Sequence, residues 1–217
     1  MSKLDRRNFL KKTSLSAAAL ATATAFTICS EEEQTRPSGS QYMGDFAAPK
    51  LDLVRIALIG VGARGSGHAR DFASLEGTEI VAISDLYEDW AQRSADRCKE
   101  AGNGQRHQDI KLYHGSENGW KQMLEEVKPD AVIISTNWVN HAPMAIESMK
   151  QGAHAFVEVP MATTIEDMWA IVDTSEATGK HCMMMENVNY GRDELMFLNM
   201  CRQGLIGDIL HGEASYI

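Results

Sequence analysis

The sequence has few cysteines, no excess of positive charge and no long apolar run. Its four cysteines form no C-x-x-C pair, so neither a disulfide framework nor a zinc site is indicated. The formal net charge is −9 without a basic stripe, which argues against a nucleic-acid partner. The apolar run over residues 13–28 is too short and too polar for a confident transmembrane span. No segment repeats another.

What remains is an ordinary globular composition, 44% hydrophobic and 24% charged over 217 residues, enough for one domain and part of another. Residues 1–29 have the pattern R-R-x-F-L-K followed by small apolar residues. This pattern predicts a twin-arginine signal peptide and a periplasmic protein. Cys29 offers a lipidation site, although Ile28 is a poor match to the usual small residue. The alternative is a frayed cytoplasmic N-terminus. Residues 30–50 are predicted to be a mobile linker excluded from the fold.

Residues 53–85 organise the rest of the chain. Gly60, Gly62 and Gly65 have the spacing G-x-G-x-x-G between an apolar strand-length run and a helical pattern. This order is typical of the first βαβ unit of a dinucleotide-binding fold, in which a pyrophosphate lies at the helix N-terminus. Asp85 follows Gly65 by 20 residues, where a carboxylate accepts ribose hydroxyls and favours NAD over NADP. The alternative is a glycine-rich turn in another α/β fold.

Strand and helix patterns alternate through the remaining chain. Asn140 is predicted to cap one helix with Pro143 in its first turn, and Thr163 and Glu166 to form a capping box. The alternation predicts an α/β fold over residues 51–190, a doubly wound parallel (Rossmann) sheet with strand order 3-2-1-4-5-6. The predicted strands cover residues 53–59, 80–83, 111–114, 131–135, 153–159 and 181–186. The predicted helices cover residues 64–75, 88–101, 120–127, 140–152, 163–179 and 193–203.

Polar and aromatic residues follow the predicted strands at their carboxyl ends, where ligands of an open parallel sheet lie. Glu158 is expected to face a ligand, because an unpaired buried carboxylate is costly. Three other candidates also have a purely structural interpretation: Trp138 as a packing residue, His141 as the start of a helix and Arg64 as a solvent-exposed side chain. The candidates are Arg64, Asp85, Trp138, Asn140, His141, Glu158, Val159, Asn187 and Tyr190. Five histidines are interpreted as structural or surface groups: His68, His107, His114, His154 and His211. No metal site is expected.

The glycine turn, the T-x-W-x-x-H pattern at 136–141 and the E-x-P pattern at 158–160 resemble the Gfo/Idh/MocA group of NAD(P)-dependent proteins. Typical dehydrogenases of that group have a lysine where this chain has Val159, and an apolar side chain cannot shuttle a proton. A finer resemblance is to glycoside hydrolase family 109, the NAD-dependent α-N-acetylgalactosaminidases. It rests on residues 138–145, Glu158-Val159-Pro160, His181-Cys182-Met183, Glu186-Asn187 with Tyr190, Leu198-Asn199-Met200, and Gly212-Glu213 with Tyr216-Ile217.

The resemblance implies hydrolysis of a terminal α-N-acetylgalactosaminide or related glycoside through oxidation, elimination, addition and reduction, with NAD regenerated in each cycle. It implies that Tyr190 is the acid–base candidate and that Tyr190 and Tyr216 face the sugar. The residues expected to hold or border NAD are Gly60, Gly62, Arg64, Gly65, Asp85, Trp138, Asn140, His141, Glu158, Val159 and Asn187. Two alternatives stay open, a sugar or polyol oxidoreductase and an inactive NAD-binding fragment.

Residues 191–217 are predicted to form a connecting helix and, from Ile209, the first strand of an incomplete α+β substrate domain. A small-molecule glycoside is the expected partner, and a homo-oligomer stays open.

Overall fold

A computed structural model of the chain describes residues 40–102 and 106–213. The predicted leader and Tyr216 lie outside these residues. Within the described ranges, six strands alternate with six helices. The strands are β1 Val54–Ile59, β2 Thr78–Ser84, β3 Lys111–Tyr113, β4 Ala131–Ile134, β5 His154–Val157 and β6 Cys182–Met184. The helices are α1 Gly65–Ser74, α2 Glu88–Ala101, α3 Gly119–Val127, α4 Trp138–Lys150, α5 Ile165–Thr178 and α6 Arg192–Arg202.

The six strands form one parallel sheet in the order β3-β2-β1-β4-β5-β6. The reversal lies between β1 and β4, where Ile56 is opposite Ala131 and Ile59 is opposite Ile134. The predicted doubly wound topology is therefore confirmed. Its central strand β4 is apolar and buried along its whole length, as expected for a strand covered on both faces.

Successive side chains of β1 point to opposite faces of the sheet and feed two separate cores. Ile56 and Leu58 pack with α1 and α2, whereas Ala57 and Ile59 pack with α3, α4 and α5. The two helical layers leave the carboxyl ends of β1 and β4 at a common edge. This edge positions the candidate site.

Two predicted helix starts differ from the structure. α4 begins at Trp138 with the extended residue Asn137 before it, so Asn140 lies inside the first turn and is not the cap. Pro143 consequently lies in the second turn. In α5 the cap is Thr164, whose Oγ1 accepts the Asp167 N–H at 3.1 Å, and not Thr163. The extended backbone of Thr164 turns its side chain toward that N–H, as an N-cap requires.

The end of the predicted linker contacts the domain. The Gln41 N–H donates to the Glu176 carbonyl at 3.0 Å, and the Phe46 ring lies 5.1 Å from that of His181. The predicted exclusion of residues 30–50 from the fold is therefore wrong at this end, because an aromatic side chain finds an aromatic partner beside β6. Residues 30–39 lie outside the described part of the chain.

The C-terminal segment is less packed than the sheet. α6 contains no buried residue, and residues 209–213 are not in a strand, contrary to the strand predicted from Ile209. Leu210 is 95% exposed. A lone segment gains no ladder of hydrogen bonds, and the sheet of the described residues ends at β6. Across the described ranges, no helix is long and apolar enough to cross a membrane.

Candidate cofactor and active site

The glycine turn joins β1 to α1 in a conformation that demands glycine at two points. Gly60 has φ +82°, and a Cβ there would lie 2.6 Å from the Ser135 carbonyl oxygen. A Cβ on Gly65 would collide with the Gly60 carbonyl oxygen. The turn therefore brings the start of α1 against the ends of β1 and β4, as its spacing predicts.

Asp85 holds this turn against the end of β2. Its Oδ2 accepts the Val61 N–H at 2.7 Å, and its Oδ1 accepts the Tyr87 N–H at 3.0 Å. A carboxylate has about four lone-pair sites, so two remain for further donors. The residue predicted to bind a ribose is thus also a link between β1 and β2.

A cavity of about 610 Å³, here named the turn cavity, lies over the ends of β1 and β2. Gly60, Gly62 and Asp85 line it together with Trp90 and Asn140. A Cβ on Gly62 would lie 2.9 Å from the Trp90 ring, so this glycine also makes room for an aromatic wall. Trp90 is not among the candidate site residues that the sequence indicates.

A second cavity of about 410 Å³, here named the β5–β6 cavity, lies over the ends of β4, β5 and β6. Ser135 and Thr136 line both cavities, which therefore adjoin along the sheet edge. Six of the predicted cofactor residues meet in the β5–β6 cavity: Arg64, Trp138, His141, Glu158, Val159 and Asn187. Asn140, which lies between Trp138 and His141 in the sequence, lines the turn cavity instead.

Glu158 is the most constrained charge in the β5–β6 cavity. Its Oε1 lies 2.6 Å from His68 Nε2 and 3.6 Å from Arg64 Nε, and its Oε2 accepts the Val159 N–H at 3.1 Å. Partial burial acts to raise the pKa of Glu158. The hydrogen bonds from His68 and Val159, with the charges of His68 and Arg64, outweigh burial and hold this pKa below its usual value.

His68 is a further site residue that the sequence did not indicate, because it was interpreted as structural or surface. It lies one helical turn after Arg64 on α1, and this i, i+4 spacing was the available signal. Its partner is 90 residues away in the sequence. The sequence gives no direct indication that the two side chains meet.

His141 lines the β5–β6 cavity and also links two loops behind it. The residue is buried, its Nδ1 lies 2.7 Å from the Pro160 carbonyl oxygen, and its Nε2 lies 3.1 Å from the Thr136 carbonyl oxygen. Carbonyl oxygens only accept hydrogen bonds, so in each contact the ring nitrogen is the donor when it carries a hydrogen. His141 therefore ties the loop after β4 to the loop after β5, and its ring nitrogens are already engaged.

The predicted substrate residue Tyr190 makes fewer defined contacts with the site than the predicted cofactor residues do. Tyr190 lies in the turn between β6 and α6 and is 67% exposed. It is absent from the lining of the turn and β5–β6 cavities. Tyr216 lies outside the described residues. Val159 is 40% exposed at the wall of the β5–β6 cavity and presents no titratable group there.

The arrangement fits a dinucleotide. Ser135 Oγ is buried between the two cavities and has no hydrogen-bond partner among the described residues. The N-terminus of α1 has no side-chain cap and no acidic residue in its first turn, which suits a phosphate. Among the described residues, no group of three His, Cys, Asp or Glu side chains could hold a metal ion.

The fold is similar to that of known NAD-binding proteins. Residues 54–186 match the model of the Gfo/Idh/MocA oxidoreductase family, described as an NAD-binding Rossmann fold. The solved structure of a myo-inositol dehydrogenase from Lactobacillus casei, in complex with NAD(H) and myo-inositol, is similar with a TM-score of 0.61 and 24% identity. The similar region covers 71% of this chain and 43% of that one. At this identity the likeness concerns the fold alone.

Similar curated proteins have higher sequence identity to this chain than that solved structure has. Glycosyl hydrolase family 109 protein 2 of Akkermansia muciniphila is 52% identical over 226 residues, which cover 98% of this chain and 47% of the relative. The α-N-acetylgalactosaminidase of Shewanella oneidensis is 47% identical over 218 residues, which cover 100% of this chain and 47% of the relative. The chain therefore spans about half the length of the curated relatives it matches.

Proposed function

We propose a function from one established premise: this chain belongs to the Gfo/Idh/MocA oxidoreductase family, and residues 54–186 are an NAD-binding Rossmann domain. The proposed activity of the whole protein is hydrolysis of terminal α-N-acetylgalactosaminides or related glycosides with NAD as cofactor. One observation carries this proposal, the 47% identity to a protein named α-N-acetylgalactosaminidase over all of this chain.

The two cavities suggest how the chain would hold NAD. Gly60, Gly62 and Gly65 leave space at the N-terminus of α1 for the pyrophosphate, and Asp85 keeps two lone-pair sites for a ribose. The β5–β6 cavity would receive the nicotinamide half. Arg64, Trp138, Glu158, Val159 and Asn187 would border it there, with His141 fixing the loops behind them.

When bound, NAD supplies reversible hydride transfer at the sugar, which acidifies the neighbouring carbon and permits elimination of the aglycone. The chain itself must supply orientation and proton transfer. Val159 lies in the cavity wall and cannot take up a proton. Proton transfer therefore falls to other groups, and Tyr190 is our candidate, with Tyr190 and Tyr216 proposed to face the sugar.

The experiment that tests this proposal follows two products at once. The complete gene product would be incubated with NAD and a chromogenic α-N-acetylgalactosaminide. The proposal expects release of the aglycone without net formation of NADH. Net NADH from a free sugar, without release of aglycone, would identify a sugar oxidoreductase instead. NAD binding without turnover of either substrate would identify a non-catalytic relative.

We also propose that the protein is exported by the twin-arginine route. The proposal rests on the R-R-x-F-L-K pattern of residues 6–11. Cell fractionation should find the protein in the periplasm, either free or held by a lipid on Cys29, and the double substitution R6K/R7K should retain it in the cytoplasm. An unchanged distribution would contradict the twin-arginine route.

A further inference from the structure

His68 and Glu158 form a hydrogen-bonded pair between two elements that the sequence separates widely. His68 lies on α1, directly after the glycine turn, and Glu158 lies just after β5. The 2.6 Å distance between Nε2 and Oε1 is that of a strong hydrogen bond. An ionised carboxylate only accepts, so the hydrogen must be on Nε2 of the histidine.

The pair is shielded from solvent and completed by main-chain and cationic groups. The side chains of His68 and Glu158 are 24% and 15% exposed. The second carboxylate oxygen accepts the Val159 N–H, and Arg64 flanks the first oxygen. A comparable pair on the surface, His114 and Glu88, is 3.8 Å apart with side chains 38% and 75% exposed. The His68–Glu158 pair is therefore the tighter and better shielded of the two.

Shielding and the short distance together limit the orientations available to Glu158. Its carboxylate lines the β5–β6 cavity beside Arg64, with Glu186 and His141 as the other titratable groups that line the same space. Without a donor from α1, the carboxylate would lose one of its two hydrogen bonds and gain rotational freedom. Cofactor binding would then be weakened by the conformational entropy lost when the Glu158 side chain is ordered again.

We propose that His68 is a positioning residue for the cofactor site: its Nε2–H fixes the Glu158 carboxylate at the wall of the β5–β6 cavity. The inference rests on the proposed function, because it takes NAD as the occupant of that cavity. It assigns to α1 a second role. The N-terminus of the helix faces the phosphates, and its second turn orients an acid on the nicotinamide side.

The test is calorimetric titration of NAD into the 217-residue chain and three variants. H68M removes the donor but keeps a good helix former, whereas H68Q restores an N–H near the position of Nε2. We expect H68M to weaken NAD binding about tenfold, as befits loss of a hydrogen bond to a charged group, and H68Q to stay within about threefold of the wild type. H114L is the matched control and should bind NAD as the wild type does.

The outcomes separate the two proposals. Wild-type affinity in H68M, with an unchanged urea midpoint, would overturn the positioning role while leaving NAD binding intact. Binding by H68Q as weak as that by H68M would also overturn it, because the hydrogen bond would then be irrelevant. No binding of NAD by the wild type would overturn both proposals. Should H68M fail to fold, the Nε2–H resonance of His68 in ¹⁵N-histidine spectra decides: a shift on addition of NAD is expected, and an unmoved resonance would contradict the role.

Discussion

The two cavities along the sheet edge are built from different parts of the chain. The turn cavity depends on main-chain geometry: Gly60 has positive φ, Gly65 lies against the Gly60 carbonyl, and Asp85 accepts two main-chain N–H groups. The β5–β6 cavity depends on side chains from distant elements, above all His68 and Glu158. Substitutions in the turn cavity should therefore affect both folding and NAD binding. Substitutions in the β5–β6 cavity should affect mainly NAD binding.

The largest effect is expected for Gly65→Ala. The added Cβ would collide with the Gly60 carbonyl oxygen, which is main chain and cannot rotate away. We expect a loss of about 3 kcal/mol in the free energy of unfolding, at the upper end for an overpacked core position. Urea unfolding measures this loss.

Gly67→Ala is the matched control, because Gly67 lies on the same helix and a Cβ there meets no atom within 4 Å. Alanine has the higher helix propensity, so this variant should gain up to about 1 kcal/mol. Equal effects of the two substitutions would contradict the close approach at Gly65 and, with it, the main-chain origin of the turn cavity.

The next largest effect is expected for Asp85→Ala. The substitution leaves the Val61 and Tyr87 N–H groups without their acceptor, so the free energy of unfolding should fall by about 1–2 kcal/mol. Titration calorimetry should also detect weaker NAD binding, by about tenfold, from the lost ribose acceptor. Asp71→Ala, at an exposed position outside both cavities, is the control. Unchanged NAD affinity in Asp85→Ala would remove this residue from the cofactor site.

The two cavities also differ in how far the sequence predicts them. The turn cavity is encoded within residues 53–85, so one spacing of glycines and one acid predicted both its strand–turn–helix structure and its ligand. The strand order followed as well, because right-handed crossovers leave few alternatives for alternating strands and helices. Glu158 was predicted to face a ligand from the cost of burying it, a local argument.

Two features of the site that the sequence did not indicate have a common physical origin. The contact between His68 and Glu158, and the burial of His141 between two carbonyl oxygens, arise from tertiary packing that no local pattern specifies. The misplaced cap of α5 is a local ambiguity, since both Thr163-x-x-Glu166 and Thr164-x-x-Asp167 fit the pattern of Ser or Thr followed three residues later by Asp or Glu. The main-chain conformation of Thr164 decides between them, and it depends on how the loop leaves β5.

Thr164→Ala tests this assignment on the side of the sheet that carries the β5–β6 cavity. Loss of the hydrogen bond to the Asp167 N–H should cost about 1 kcal/mol in the free energy of unfolding, as is usual for an N-cap threonine. Thr163→Ala should cost nothing measurable, since Thr163 is exposed and is not the cap. Urea midpoints compare the two. A larger loss for Thr163 would restore the originally predicted capping box. NAD affinity should be unchanged in both variants, because neither threonine lines the turn cavity or the β5–β6 cavity.

The smallest effect concerns the pH dependence of stability near β5. Burial, with the positive charges of Lys180 and His181, lowers the pKa of His154 below its ordinary value of 6.5. Its Nδ1 also accepts the His181 N–H at 2.9 Å, so protonation of that nitrogen would break the bond. The neutral ring is thus favoured in the folded state. Its contribution is complete above pH 6.5 and is lost as pH falls from 6.5 through the lower pKa of the folded state.

His154→Asn separates this contribution from the rest of the acid response. The asparagine Oδ1 replaces Nδ1 as an acceptor for the His181 N–H but does not titrate. Between pH 7.5 and 5.5, about one pH unit to either side of the ordinary histidine pKa, urea unfolding should detect a steeper loss of stability in the wild type than in the variant. Glu158, whose lowered pKa gives stability that is lost at more acidic pH, should contribute equally to both proteins. Parallel pH profiles would show that His154 titrates alike in the folded and unfolded chains. His154 would then make no contribution to the pH dependence of stability on this side of the sheet.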